Sequence, residues 1–427
     1  MSMNPTLHRR SLLAGAAALV GTTTVAARAR AADATTIKFW AAFSPADPDY
    51  KAAMTLIPAY EKAHPGVHVE LQTISYDALH DKLVTAVAGG DAPDISWGLA
   101  EWLGELNRMN ALLDLTPLAA AWPDRSAIYP DALRALTVDG KLRAMPNYIG
   151  LRAMLYHADM LKAANVEPPK TWAELLAAAP KITAATGKPA YGIAGTGVRS
   201  PQELLVFLAQ NDATIAKPTA DGKFRNTWGE DRDEHARVAE VFAFYQALQA
   251  QKAMSADAKS WGWQEEDTNF SLGQYAIVQD GAWMQSYIAQ SPKGMADVRI
   301  APPPFSRKPA TFFEVAPFYL FRASANPQAT WDFGTYMLGQ DWQAACNPGR
   351  SVRTDVIKHD QWGEGFTSLA PTGVVFPPVA LGGIIRAMED SIGHALREGE
   401  APDATATWLS DNINRSLKRS GELGPAS

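Results

Sequence analysis

Apolar residues recur at two different periods along the chain, and the switches between them mark out its elements. Thr35–Ala41 (TTIKFWA) is rich in β-formers and bounded by turn residues, which predicts a strand. Over residues 50–64, Leu56, Ile57 and Tyr60 fall at helical spacing, with Pro58 marking a kink. His64-Pro65-Gly66 stops that helix, and residues 67–71 alternate as a second strand. Residues 76–88 are helical again and are closed by Gly89-Gly90, and residues 94–97 predict a short third strand. This β-α-β-α-β order predicts a parallel sheet with right-handed crossovers, whose ligand crevice lies at the carboxyl ends of the strands.

Residues 140–175 change character twice. A short extended run ends at Met145-Pro146, and a strand follows over 149–156, carrying one polar side chain, Arg152, before its tyrosine. A short helix over 160–164 is blocked by Pro168-Pro169, and Thr171 is placed to cap the next helix, with Glu174 as its capping-box partner. Further on, the pattern predicts helices over 171–186, 202–211 and 231–250, the last with Val238, Val241, Phe242 and Tyr245 on one face. It predicts strands over 191–194, 275–278 and 315–321, a crevice-type loop over 261–266, and a helix over 331–343. Residues 349–356 are read as a further crossing, and the chain from 384 onward as mostly helical.

The N-terminus bears on the compartment. His8-Arg9-Arg10-Ser11-Leu12-Leu13 reads as a twin-arginine n-region, a mild apolar run follows over 12–27, and Ala29-Arg30-Ala31 supplies a small-x-small cleavage site. Residues 1–31 are therefore read as a signal peptide, the run being too short and too rich in Gly and Thr to span a bilayer comfortably. The one cysteine, Cys346, is far from the cleavage site; this excludes a lipoprotein anchor and an intramolecular disulfide, and Cys346 reads as a buried small apolar residue. A soluble, unanchored periplasmic protein is expected. Without residues 1–31, which hold four arginines and no acids, 35 basic residues face 45 acidic ones, a net of −10. Such a surface disfavours nucleic acid and anionic membrane as partners. The mature length exceeds a usual single domain, so two lobes are expected.

Catalytic patterns are thin. The chain has no His-Glu-x-x-His, no Gly-x-Ser-x-Gly, no Walker loop and no cysteine pair. Gly195-Thr196-Gly197 is a dinucleotide fingerprint fragment without its third glycine, and no cofactor or metal is expected. Paired carboxylates for glycoside hydrolysis remain open, but nothing singles out a pair. Aromatic residues carry more information. Trp40, Phe43, Trp97, Trp102, Tyr148, Trp261, Trp263 and Trp283 all sit at predicted strand ends or in the loops after them. The C–H face of a sugar ring stacks on an indole, while its rim of hydroxyls needs fixed donors and acceptors.

Three stretches resemble the bacterial extracellular solute-binding proteins, the family of maltose-binding protein. The first runs from Pro146 through Leu155-Tyr156-His157 to Pro168-Pro169-Lys170-Thr171-Trp172-Ala173-Glu174-Leu175, departing from the family at His157 and Ala173. The second is Gly90-Asp91-Ala92-Pro93-Asp94-Ile95-Ser96-Trp97. The third is Asn269-Phe270-Ser271-Leu272-Gly273-Gln274-Tyr275-Ala276-Ile277 with Gly281-Ala282-Trp283, departing at Tyr275 and Ile277. The resemblance implies an α/β, two-lobed periplasmic-binding fold with several hinge crossings. Its lobes would be residues 32–146 plus 303–346 and residues 147–302 plus 347–427. It implies a monomeric subunit of an ABC importer that captures a carbohydrate or polyol, delivers it to the permease and performs no chemistry. Trp97 and Trp283 would be pocket walls from opposite lobes, and a residue within 147–152, Asn147 or Tyr148 among them, would reach ligand. Asp94 either caps its turn or touches ligand. Arg353 is expected in a solvated salt bridge, and Arg350 is the candidate for an acidic or phosphorylated ligand. Glycerol phosphate is the main rival ligand, and an exported glycosidase or lyase on the same scaffold is a further alternative.

Overall fold

A computed structural model of the chain describes residues 35–43, 45 and 48–426, so the twin-arginine segment and cleavage site within 1–31 lie outside the described residues. Strand β1 (Thr35–Ala41) pairs in parallel with β2 (Val67–Thr73) on one side and β3 (Ile95–Trp97) on the other. Helices α1 (Pro48–Ala63) and α2 (Tyr76–Gly89) make the crossovers. The expected β-α-β-α-β unit is therefore present. Gly90 closes α2 at φ 76°, a left-handed position open to glycine, and its N–H bonds Val87 O.

Strand β4 (Met145–His157) runs unbroken for 13 residues, about 43 Å at ~3.3 Å per residue. The sequence predicts a break at Met145-Pro146, and the structure has none. Pro146 stands opposite Pro317, at a register shift in the partner strand. Neither proline has an N–H to contribute, so the ladder loses nothing by placing them together. Helices α3 (Trp172–Thr186), α4 (Arg199–Gln210), α5 (Arg232–Ala250) and α6 (Trp263–Ser271) follow, before strands β5 (Ile277–Gly281), β6 (Val298–Ala301) and β7 (Thr311–Leu320). The amino-terminal half of β4 pairs antiparallel with β7, its carboxyl-terminal half pairs with β5 and β6, and β7 continues onto β3. With the short strand Gly373–Val374, which pairs in parallel with β7, one eight-stranded sheet results, in which β4 and β7 join two halves. All ten residues of β7 are buried, as expected of a strand covered on both faces.

Each half-sheet has its own core. Phe39, Leu79, Leu83, Ile95, Phe318 and Phe333 belong to one; Leu175, Phe207, Val241, Phe242 and Tyr245 belong to the other. The helices that follow include α7 (Pro327–Met337), α8 (Gln340–Cys346), α9 (Gly382–Gly393) and α10 (Pro402–Arg419). The last two pack with α5 in the second core through Ile384, Met388, Leu409 and Ile413.

Three expectations are corrected. Residues 191–194 form an extended segment with a single bridge to β5 rather than a strand, because their N–H groups go to Ala253 O, Ile277 O and the Glu203 carboxylate. Trp263 opens a helix rather than sitting in a loop, with Glu265 reaching back to the Gly262 N–H at 3.0 Å. The helix expected over 331–343 is two helices, since Leu338 and Gly339 turn the chain through i→i+3 bonds. Thr171 caps α3 as expected, its Oγ1 accepting from Glu174 N at 3.1 Å. Glu174 returns to Lys170 N at 2.7 Å, one residue ahead of the cap. Thr171→Ala should therefore cost about 1 kcal/mol of stability. Urea unfolding should show a lower midpoint with an unchanged slope.

Candidate functional site

The two halves meet at the carboxyl end of β3. Trp97 ends that strand and is buried; its ring lies 5.6 Å from Tyr76, which opens α2, and 6.1 Å from Trp102. From the other half, Trp263 brings its ring to 6.0 Å from Tyr76. Four aromatic rings thus form a continuous face made by both halves, backed by His80 at 5.1 Å from Trp102.

Beside this face lies a hydrogen-bonding layer. Successive side chains of a strand alternate between its faces, so Tyr148, Gly150 and Arg152 of β4 share one face and Asn147 takes the other. Glu314 of β7 stands opposite Gly150, where a Cβ would approach the Glu314 side chain at 3.2 Å, so glycine leaves room for the carboxylate to lie across the strand. Glu314 accepts from the Tyr148 hydroxyl at 3.3 Å and lies 4.0 Å from Arg152. Arg152 is 2% exposed and donates through Nη2 to Gln202 Oε1. The Gln202 amide nitrogen donates in turn to Glu101 Oε1 at 2.8 Å. An unbroken chain of polar contacts therefore runs from the joining strands through α4 to the segment just after β3. Arg152 also lies between the rings of Phe312 (5.1 Å) and Trp283 (5.8 Å), and its Nε and Nη1, with Trp283 Nε1, are buried without an acceptor.

Beneath this layer, Arg199 Nη1 donates to Glu266 at 2.9 Å, to Asp280 at 3.3 Å and to Asp267. Burial alone would lower the Arg199 pKa, but the charges of Asp267, Asp280 and Glu266 outweigh it and hold the guanidinium well above its ordinary value. Burial raises the carboxyls of Glu203, Glu266 and Asp267, with Arg199 acting against it at each. The Glu266, Asp267 and Asp280 oxygens lie within 4.8 Å of one another, a spacing a metal ion could use, but Arg199 already donates to all three. The Arg199 guanidinium also sits 5.3 Å from the Trp283 ring, so both arginines hold the same indole.

The sequence-predicted residues divide accordingly. Trp97, Trp102, Trp263, Tyr148 and Trp283 come together at this junction, and Trp261 is half-buried beside it, 5.9 Å from the Tyr275 ring. The others are committed elsewhere. Trp40 packs under Lys82 of α2, and Phe43 is in the first core against Phe39. Asp94 neither caps its turn nor faces the junction: its oxygens accept from Lys38 N at 2.8 Å and Ser324 Oγ at 2.5 Å. Asn147, on the far face of β4, accepts from Asn347 at 3.2 Å. Arg350 is ion-paired with Asp49 at 2.6 Å and stacked 4.1 Å over the Tyr148 ring, so its charge is already matched. Arg353 forms salt bridges with Asp124 and Asp355 but is buried rather than solvated. Tyr76, Glu101, Arg199, Gln202 and Glu314 escaped the sequence reading. Glu314 alone left a signal, as the only charge in the apolar run TFFEVAPFYL.

The model of the family described as bacterial extracellular solute-binding protein matches residues 55–363. An arabinooligosaccharide-binding protein of Bacillus subtilis (strain 168) is 32% identical over 141 residues, which are 31% of this chain and 32% of that one. A Brucella abortus (strain 2308) chain named as a binding protein is 22% identical over 75% of this chain and 78% of its own length. Among solved structures, the GacH receptor of Streptomyces glaucescens superposes with a TM-score of 0.79 at 21% identity, over 92% of this chain and 100% of that one. A solute-binding protein of Thermotoga lettingae, determined with α-D-tagatose, gives 0.79 at 23% identity over 90% of this chain and 100% of its own. These likenesses show the fold. Among the described residues no helix is long and apolar enough to cross a membrane.

Glu101 keeps some accessible surface, yet burial and then the charge of Glu314 push its carboxyl up to about 7, against the opposing hydrogen bond from Gln202. With the two halves apart it would meet water and return toward its ordinary ~4.3. A carboxyl raised in the closed form favours closure below its open-form pKa and loses that contribution as pH rises through about 7. In small-angle scattering, the closed fraction of ligand-free protein should rise by one to two orders of magnitude between about pH 8 and about pH 5. Glu101→Gln should flatten the profile; an equally steep one in that variant would assign the effect to another group.

Proposed function

The chain belongs to the bacterial extracellular solute-binding proteins, and we propose that it is the substrate-binding subunit of an ABC importer. It captures a carbohydrate or polyol between its two lobes and hands it to a membrane permease. The observation that carries this reading is the pairing of an aromatic face (Tyr76, Trp97, Trp102, Trp263) with a layer of donors and acceptors (Glu101, Arg152, Gln202, Glu314) at one junction. Those are the two surfaces a pyranose presents: apolar C–H faces and a hydroxyl rim.

In this reading the lobes are residues 32–146 with 303–346 and residues 147–302 with 347–427. They close on the hinge made by β4 and β7, so that the loaded form presents both lobe surfaces together to the permease. The protein is a monomer, exported by the twin-arginine signal, released unanchored into the periplasm, and performs no chemistry on its cargo. The match of Arg350 to Asp49 argues against an anionic cargo such as glycerol phosphate, because the expected anion-binding arginine is already neutralised.

Thermal melting of the mature protein against sugars, polyols and their phosphates tests the reading. A ligand at a hundred times its dissociation constant adds about 2.7 kcal/mol and moves the midpoint visibly. Trp97→Ala or Trp263→Ala should weaken the responding sugar by about 2 kcal/mol or more, as a buried aromatic anchor does. Arg350→Ala should leave the preference among ligands unchanged. Release of a hydrolysis product from the bound sugar would sink the proposal.

A further inference from the structure

The charges at the junction do not balance, and the imbalance has one sign in both layers. In the upper layer Glu101 and Glu314 face a single guanidinium, that of Arg152; in the lower layer Glu266, Asp267 and Asp280 face that of Arg199, and Glu203, which accepts from Ala194 N, lies within the influence of both. Burying a carboxylate without a cation is costly unless it takes up a proton or gains a counter-charge. Among the described residues Glu101 has no ion pair; the hydrogen bond it accepts comes from a neutral amide. Glu314 is held at 4.0 Å from a guanidinium whose Nη2 is engaged with Gln202. The tyrosines nearest them, Tyr76 and Tyr148, are both raised well above the ordinary value, first by burial and then by Glu314, so they stay neutral and neither add to the negative excess nor offset it. Arg350 is matched by Asp49 and His80 by Glu105.

A second observation points to a molecule entering this layer. Arg152, 2% exposed, keeps two nitrogens, Nε and Nη1, without acceptors among the described residues, and Trp283 Nε1 is a third such donor next to it. Buried donors of this kind are rarely left unmet. They ask for oxygens, while Glu101 and Glu314 ask for a positive donor. A carboxylate or phosphate would satisfy the donors but add another negative charge to the excess; a neutral sugar would serve the donors and leave the charges as they are.

We propose that the cargo is an amino sugar, its ammonium held between Glu101 and Glu314 and its ring and hydroxyl oxygens accepting from Arg152 and Trp283. This rests on the carbohydrate reading above. The protonated amine gives Glu101 a cation that the chain itself does not supply, and the hydroxyls meet donors that have no other partner.

The test is calorimetry and thermal melting with matched sets: glucose, glucosamine and glucuronate; galactose, galactosamine and galacturonate; and the pair cellobiose and the β-1,4-linked glucosamine disaccharide. In at least one set the amine should bind about tenfold or more tighter than its neutral parent, and no uronate should bind better than that parent. Glu101→Gln should bring amine and parent within about threefold of each other; if that variant does not fold, as read by circular dichroism, Glu314→Gln serves the same purpose. A neutral parent that binds as tightly as its amine, or a uronate that binds best, overturns the amino-sugar assignment and leaves the carbohydrate reading standing. No response to any member overturns the amino-sugar assignment, and a melt shifted only by solutes other than sugars and polyols overturns both.

Discussion

The pairing of β4 with β7 is the constraint on which the rest depends. Both strands are long and buried, both bridge the two half-sheets, and each carries one charged side chain in its paired core, Arg152 and Glu314. Their register, with Gly150 opposite Glu314, puts these charges on one face beside Tyr148. A one-residue slip would send them to the opposite face, where Asn147 meets Asn347. The opposed prolines Pro146 and Pro317 leave the two strands paired through the point where an isolated proline would have cost a hydrogen bond. The same pairing that joins the halves therefore sets the chemistry between them.

Burying so much charge is tolerable only because the partners are arranged in layers. Arg199 alone satisfies one oxygen on each of three carboxylates, and its guanidinium lies near the same indole that borders Arg152. Both guanidiniums lie near the centre of the Trp283 ring, at 5.8 Å for Arg152 and 5.3 Å for Arg199, and its ring electrons attract each. Gly281 is part of this arrangement: a Cβ there would collide with the indole, so the tight turn out of β5 is what lets Trp283 fold back over the charges.

The fold was largely legible because its signals are local. Helical and strand periods, Gly90, Thr171 and the proline pairs act within a few residues, and the parallel β-α-β-α-β order follows from them. The failures are long-range. The segment 191–194 has a strand's composition, but its N–H groups are claimed by Glu203 and by residues far along the chain. The site was half legible. Aromatics at strand ends are conspicuous, so Trp97, Trp102 and Trp263 stood out, whereas Trp40 and Phe43, at the same kind of position, turn into helix and core. Glu101, Gln202 and Arg199 are ordinary polar residues on helical segments, and only tertiary packing reveals that they meet. Arg350 misled for the converse reason: its partner, Asp49, lies 301 positions away.

Gln202 shows why recognition and closure are not separable here. Its amide must accept from Arg152 and donate to Glu101, and of the side chains of its length only a glutamine does both without bringing a like charge against one of them. A glutamate would face Glu101, and a lysine would face Arg152. The amide's orientation is set by its two partners, so the first half reads, through one side chain, whether the joining strand is correctly placed. Any cargo that engages Glu101 or Arg152 competes with or completes this same contact. Under the proposed function, the energy that distinguishes one ligand from another would be delivered at the residues that tie the two halves together, which is how a binding protein can couple the identity of its cargo to its shape.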